Sequence, residues 1–117
     1  MPLTDSQADR WLEDLRTGWV SLHHANPDIN GGLESEINGG GYERVSVLFT
    51  EPSNRVIWND STLKFRGLPA STISFIGLWA VQYNGRMLWY MGMEDAERVT
   101  EGSSFTIKPG EIAVSLA

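Results

Sequence analysis

Residues 39–49, GGGYERVSVLF, decide the predicted fold of this chain. Three glycines lead into a run of alternating side chains, and a period of two residues is typical of a β-strand. After Glu43, one face of this strand consists of Val45, Val47 and Phe49, and the opposite face consists of Tyr42, Arg44, Ser46 and Leu48. Because the first face is apolar, the pattern predicts a core strand that is entered through a glycine bend.

Tyr42 and Arg44 share the face of this strand that lies away from the predicted core. The glycines before them lead into a strand and not into a helix, so no helix N-terminus is available there to hold an anion. We therefore expect Tyr42 and Arg44 to contact another subunit, and we predict no catalytic role for them.

The chain has 117 residues, of which 41% are apolar and 21% are charged. These values are typical of a soluble globular protein, and we predict a single domain that spans residues 1–117. A formal net charge of −6 argues against direct binding of nucleic acid and favours packing beside a basic protein. The absence of cysteine excludes disulfides and thiolate zinc sites. No apolar run approaches the ~20 residues of a membrane span, so we expect no membrane insertion.

The N-terminal segment 1–17 contains the one predicted α-helix, at residues 4–16. Its apolar side chains follow the spacing i, i+3, i+4 and i+7, and they are Ala8, Trp11, Leu12 and Leu15. A helix of about thirteen residues is marginal in isolation, so this stripe must pack against something. It either covers the chain's own sheet or docks on a neighbouring subunit, with Trp11 as the anchor of that contact.

From residue 19 onwards, short runs rich in β-forming residues alternate with turns. These runs are residues 19–24, 42–49, 56–58, 63–65, 73–80, 87–93, 104–108 and 112–116. The run 73–80 alternates poorly, which favours a central strand that is buried on both faces. The pattern predicts an all-β fold with about seven to eight short antiparallel strands, arranged as a jelly-roll or immunoglobulin-like β-sandwich.

The connections between these runs also carry predictions. Asn84 and Gly85 are typical of a two-residue hairpin turn, which would pair residues 78–82 with residues 87–93. Residues 94–98, EDAER, are predicted to be an acidic connector that follows the second strand. Residues 26–41 are predicted to be a long polar loop, and loops of this length in compact domains are often contact surfaces.

The sequence contains no motif that predicts catalysis. It lacks the Gly-x-Ser-x-Gly turn of serine hydrolases. His23 and His24 are neighbours on a predicted strand, so they would point to opposite faces and could not readily share a metal ion. We therefore predict a protein that is not an enzyme and has no catalytic, cofactor-binding or metal-binding residues.

Aromatic side chains are the remaining candidates for a ligand site. A β-sandwich can bind sugars on an exposed aromatic platform, and Trp58, Trp89 and Tyr90 could form one. Alternatively, these large side chains fill the core or a subunit interface, where they supply much of the buried area. The composition favours the core or an interface, and glycan binding stays open as the alternative.

Four motifs in a fixed order resemble a family of small tailed-bacteriophage virion proteins, which are described as minor tail or tail-fibre proteins. The motifs are WVSLH at 19–23 before ANP at 25–27, INGGGYER at 37–44, IGLW at 76–79 before a glycine turn, and the closing strands around PG at 109–110. The resemblance implies a non-enzymatic minor tail or tail-tip protein that assembles in multiple copies in the host cytoplasm. Its partners would be other virion proteins and further copies of itself, and capsid decoration is the alternative role.

Overall fold

The computed structural model describes residues 16–27, 34–52, 56–85 and 87–115, and these residues form eight β-strands. The strands are β1 (Thr17–His23), β2 (Val45–Leu48), β3 (Val56–Trp58), β4 (Leu63–Leu68), β5 (Ser71–Trp79), β6 (Met87–Val99), β7 (Ser103–Ile107) and β8 (Ala113–Ser115). All pairings between them are antiparallel. The predicted all-β class with about eight antiparallel strands is therefore confirmed.

Of the N-terminal helix predicted at residues 4–16, all but the last residue lies outside the described residues, which begin at Arg16. Its predicted anchor, Trp11, lies outside them as well. The described part of the chain contains no helix, and hence none that is long and apolar enough to cross a membrane.

The largest sheet has four strands in the order β2-β1-β5-β6, and two further sheets pair β3 with β8 and β4 with β7. β5 is an inner strand because it pairs with β1 on one side and with β6 on the other. Ile76, Gly77, Leu78 and Trp79 are consecutive residues of β5 and all of them are buried. The predicted central strand with two buried faces is thus confirmed.

One hydrophobic core is shared by all three sheets. It consists of Val20, Leu22, Ile37, Val47, Phe49, Ile57, Leu63, Phe65, Leu68, Ile73, Ile76, Leu78, Val99, Phe105, Ile107, Ile112 and Val114. Full burial of a side chain of this size contributes about 1.5–3 kcal/mol, so the core is the main source of stability. Val47 and Phe49 belong to it and Val45 packs against it, as the alternation in residues 39–49 predicts.

The connection between β5 and β6 differs from the predicted two-residue hairpin. Asn84 and Gly85 do have positive φ angles of 53° and 78°. However, β5 ends at Trp79 and the last pair is Trp79 with Met87, so the predicted pairing of residues 80–82 is wrong. The backbone carbonyls of Val81 and Asn84 instead accept hydrogen bonds from Arg44, which holds this connection as an open loop.

The acidic residues 94–98 were expected to form a connector, and this prediction is wrong. They lie inside β6, where Glu97 pairs with Ile73 and Arg98 pairs with Thr72 of β5. The side chains of this stretch are exposed. A strand that faces solvent accepts charged residues, so composition alone did not distinguish it from a loop.

Asn59, which directly follows β3, connects segments that lie far apart in the sequence. Its side-chain amide donates to the carbonyls of Lys108 at 2.9 Å and Ser61 at 3.2 Å, while its Oδ1 accepts from the backbone N–H of Ile112 at 2.8 Å. The Asn59 side chain is buried, and the Asn59 backbone also pairs with the Phe49 backbone in a single antiparallel β-bridge. Asn59 therefore ties the turn before β8 to the end of β2.

Replacing Asn59 with aspartate tests this role. In Asn59→Asp the donating amide becomes a carboxylate oxygen that faces the Lys108 and Ser61 carbonyls, so we expect a loss of about 2–4 kcal/mol in unfolding free energy. Urea denaturation at pH 7 measures this loss. The exposed Asn38→Asp carries the same chemical change and should stay within about 0.5 kcal/mol of the wild type. Equal losses in the two variants would contradict the assignment.

Candidate functional site

A buried polar network covers the face of the four-stranded sheet that lies opposite the hydrophobic core. On β1, Val20 and Leu22 belong to the core, so the alternate residues Ser21 and His23 point to the other face. Ser21 pairs with Gly77 of β5, and Trp79 lies on the same face as Gly77. Ser21, His23 and Trp79 are all fully buried. The four-stranded sheet is therefore packed on both faces, with apolar groups on one and polar groups on the other.

His23 is the centre of the first half of this network. Its Nε2 lies 2.6 Å from Ser21 Oγ and its Nδ1 lies 2.8 Å from Ser35 Oγ, while Trp79 Nε1 donates to Ser21 Oγ at 2.7 Å. One ring nitrogen can donate while the other accepts only if the imidazole is neutral. Burial lowers the pKa of His23 from 6.5 to about 4, with the Glu36 carboxylate opposing this shift and the Arg44 guanidinium adding to it.

Gly77 makes room for this cluster. A Cβ at position 77 would lie 2.6 Å from Ser21 Oγ and 2.8 Å from His23 Nε2. Both distances are shorter than any contact that a real Cβ makes, so the serine and the histidine would have to move. The glycine in the middle of an apolar strand is therefore required by the close approach of β1 side chains.

Glu36 and Arg44 form the second half of the network. Arg44 Nε donates to Glu36 Oε2 at 2.8 Å and Arg44 Nη2 donates to Glu36 Oε1 at 2.8 Å, which makes the ion pair bidentate. Arg44 Nη1 donates to the carbonyls of Val81 at 3.1 Å and Asn84 at 2.9 Å. The guanidinium carbon lies 3.6 Å from the centroid of the Trp79 ring, a cation–π contact. Arg44 is only 4% exposed.

Tyr42 completes the edge of β1. β2 pairs with residues 17–20 at the start of β1. The segment around Glu36 pairs with the end of β1, where the Ile37 N–H donates to the Leu22 carbonyl. In the gap between them, the Leu22 N–H donates to the Tyr42 hydroxyl at 3.1 Å. The hydroxyl in turn donates to Glu36 Oε2 at 2.6 Å. Burial raises the pKa of Tyr42, and the negative charge of Glu36 raises it further, so the phenol keeps the proton that it donates.

The polar atoms of the network are buried and bonded to one another. A serine beside a histidine is the core of many nucleophilic sites, but Ser21 and His23 are inaccessible to a substrate. Within the described residues, every buried side-chain nitrogen and oxygen has a hydrogen-bond partner. Nor do the described histidine and carboxylate side chains form any group of three that could hold a metal ion.

The structure brings together two of the predicted contact residues. Tyr42 and Arg44 meet at Glu36, with their polar atoms used inside the chain, so a contact with another subunit stays a prediction for both.

The three aromatic residues of the suggested glycan platform do not lie together on one surface. Trp58 is 44% exposed on β3 and Tyr90 is 37% exposed on β6, in a different sheet, whereas Trp89 packs against the core. Glycan binding by these residues also stays a prediction.

Sequence reasoning missed Glu36, His23, Ser35 and Trp79 as members of one network. Two features of the sequence pointed towards it. Ser21 and His23 alternate with apolar neighbours on a strand, and Gly77 interrupts the most apolar run of the chain. These features indicate a crowded second face on the sheet, but they do not identify the partners that cover it.

The described residues thus form an all-β fold whose main sheet carries a hydrogen-bonded polar network on one face. Residues 13–115 match the family described as Podophage GP4 fiber I protein gp80, and the chain belongs to this family. It is thus a tail-fibre-like structural protein of a bacteriophage and a component of the virion. This confirms the phage structural class that the four sequence motifs indicated. Among curated proteins, none matches the chain.

A double-mutant cycle tests the coupling between Glu36 and Arg44. Arg44→Met leaves a poorly solvated carboxylate behind, so we expect a loss of about 3–5 kcal/mol in unfolding free energy. The double variant, which carries both Glu36→Gln and Arg44→Met, should recover a substantial part of this loss. Compared with the two single variants in urea denaturation, it should give a coupling energy of about 1–3 kcal/mol. The exposed Arg66→Met is the matched control, with an expected change below about 0.5 kcal/mol. Strictly additive losses would show that the two residues act independently.

The buried His23 predicts a pH-dependent stability. The unfolded chain binds a proton at His23 below pH 6.5, whereas the folded chain binds it only near pH 4, so stability falls as the pH drops between these values. The loss from this residue is at most about 3 kcal/mol. His23→Gln should be less stable at pH 7 but should lose less between pH 7 and pH 4.5, as followed by thermal melting. His24→Gln removes an exposed neighbour whose charge contributes least to the lowered pKa of His23, so it should change the pH profile much less than His23→Gln does.

Proposed function

We propose that this protein is a minor tail or tail-tip subunit of a phage tail-fibre assembly, present in multiple copies and bound to other virion proteins. The observation that carries this proposal is the family match, because residues 13–115 span nearly all of the chain and the family is that of a phage fibre protein. The described fold supports it, since a packed interior with fully hydrogen-bonded buried polar groups suits a mechanical role.

Rigidity is the first property that supports this function. A shared core links all three sheets, and the polar network fixes the segment before β2 and the loop after β5 to the opposite face. We propose that the two smaller sheets cover the core face of the larger one, as in a β-sandwich. A domain held on both faces transmits force through its sheet with little internal rearrangement.

Exposed apolar side chains are the second property. Leu48 is 47% exposed and Tyr83 is 65% exposed, and Trp58 adds a third large side chain on the surface. Tyr83 borders an open groove of about 400 Å³ that also reaches Tyr42 and Glu43. Aromatic residues are enriched in protein–protein contacts, and the net charge of −6 favours a neighbour with a basic surface.

Labelling of intact virions tests the location. An epitope inserted between Thr100 and Glu101, in the exposed turn between β6 and β7, keeps Gly102 with its positive φ angle and its hydrogen bond to the Leu68 carbonyl. It should therefore preserve the fold and accept gold-labelled antibodies. We expect label at the tail in electron micrographs, with more than one gold particle per virion. Label over the head would overturn the tail assignment in favour of capsid decoration. Virions without label, from cells that make the tagged protein in soluble form, would overturn a virion role altogether.

A further inference from the structure

β2 forms one edge of the four-stranded sheet, and β6 forms the other. With 13 residues it is the longest of the described strands, and it pairs with β5 on one side only. Its other side pairs with no strand among the described residues. The backbone N–H and C=O groups of such an edge can pair with a further chain, and monomeric proteins usually block this with charges, prolines or bulges.

Charges protect only the second half of β6. Residues 94–98, EDAER, contain three carboxylates, whereas residues 87–93, MLWYMGM, contain no charge and no proline. In this uncharged half, Trp89 and Met91 pack against the core, so Leu88 and Tyr90 point away from it and are 43% and 37% exposed. An uncharged edge of about seven residues is long enough for ordinary strand pairing.

We propose that β6 pairs antiparallel with β6 of a second copy of this chain, around a two-fold axis at Tyr90. In this register Trp89 lies opposite Met91 of the second copy, and Leu88 lies opposite Gly92. The acidic halves of the two strands then point to opposite ends of the pair. A parallel arrangement would place them side by side, where like charges repel. Charge therefore selects the antiparallel direction of the contact.

Gly92 provides a matching surface for this register. A Cβ at position 92 would lie only 3.3 Å from the Phe75 ring, so glycine leaves that ring close to the strand edge, and Phe75 is partly exposed. Leu88 of the second copy, directly across from Gly92, packs against this ring. On the axis the two Tyr90 side chains meet, each already supported by its own Phe75 at a ring separation of 6.4 Å. Aromatic cross-strand pairs of this kind stabilise sheets.

The absence of cysteine from the chain makes a cross-linking test direct. Tyr90→Cys places one thiol per copy on the two-fold axis, and mild oxidation of the purified full chain should convert most of it to a covalent dimer. In Leu88→Cys the two thiols lie roughly 13 Å apart along the strands, which is too far for a disulfide. Thr106→Cys, on an exposed position of β7, is the matched control. Both should give at least about ten-fold less dimer than Tyr90→Cys.

A second measurement needs no thiol. Tyr90→Lys brings two ammonium groups together on the axis and should weaken the wild-type dimer at least about ten-fold in sedimentation velocity, whereas Thr106→Lys should not. A wild type that stays monomeric, or equal cross-linking at positions 90 and 106, would overturn β6 pairing. The β6 contact rests on the proposed assembly in multiple copies, but the two proposals can be rejected independently of each other. Tail label on virions together with a monomeric wild type would reject only the β6 contact.

Discussion

The buried ion pair between Glu36 and Arg44 is the interaction on which the rest of the described fold depends. Glu36 belongs to the segment that extends the edge of β1, Arg44 stands directly before β2, and the same guanidinium holds the loop that leaves β5. A buried charge is costly unless it is paired and hydrogen-bonded. An arrangement that kept one of these side chains buried without the other would leave a charge without its partner, so the pair favours the observed placement of the three segments.

Arg44 of this pair lies over the ring of Trp79, so the main sheet has packed side chains on both of its faces. One face contributes Val20, Leu22 and Leu78 to the hydrophobic core, and the other carries the polar network around His23. A neutral histidine and a protonated tyrosine fit there because burial disfavours their charged forms. Such a sheet suits a fibre protein, because its stiffness comes from side-chain contacts on both faces while the strand edges and loops stay available for contacts.

The elements that sequence reasoning predicted correctly are those with a local physical cause. The alternation in residues 39–49 predicted the strand that contains Val47, and the poor alternation in residues 73–80 predicted a strand buried on both sides. Asn84 and Gly85 adopt the positive φ angles that their types favour. The errors arose where distant contacts decided the outcome: Arg44 keeps the loop after β5 open, and β5 holds the acidic residues 94–98 in a strand.

By itself, the sequence determined the all-β class, most strand positions, the core face of β2 and the phage structural family. These follow from the period of the apolar residues, from turn chemistry and from motif order, which are properties of neighbouring residues. Only the tertiary structure decided that Arg44 is an internal partner of Glu36 and that Tyr42 fills a gap in the ladder of β1. A polar side chain on a strand can face solvent, another subunit or a buried partner. Which of these it meets depends on segments that fold onto it from elsewhere in the chain.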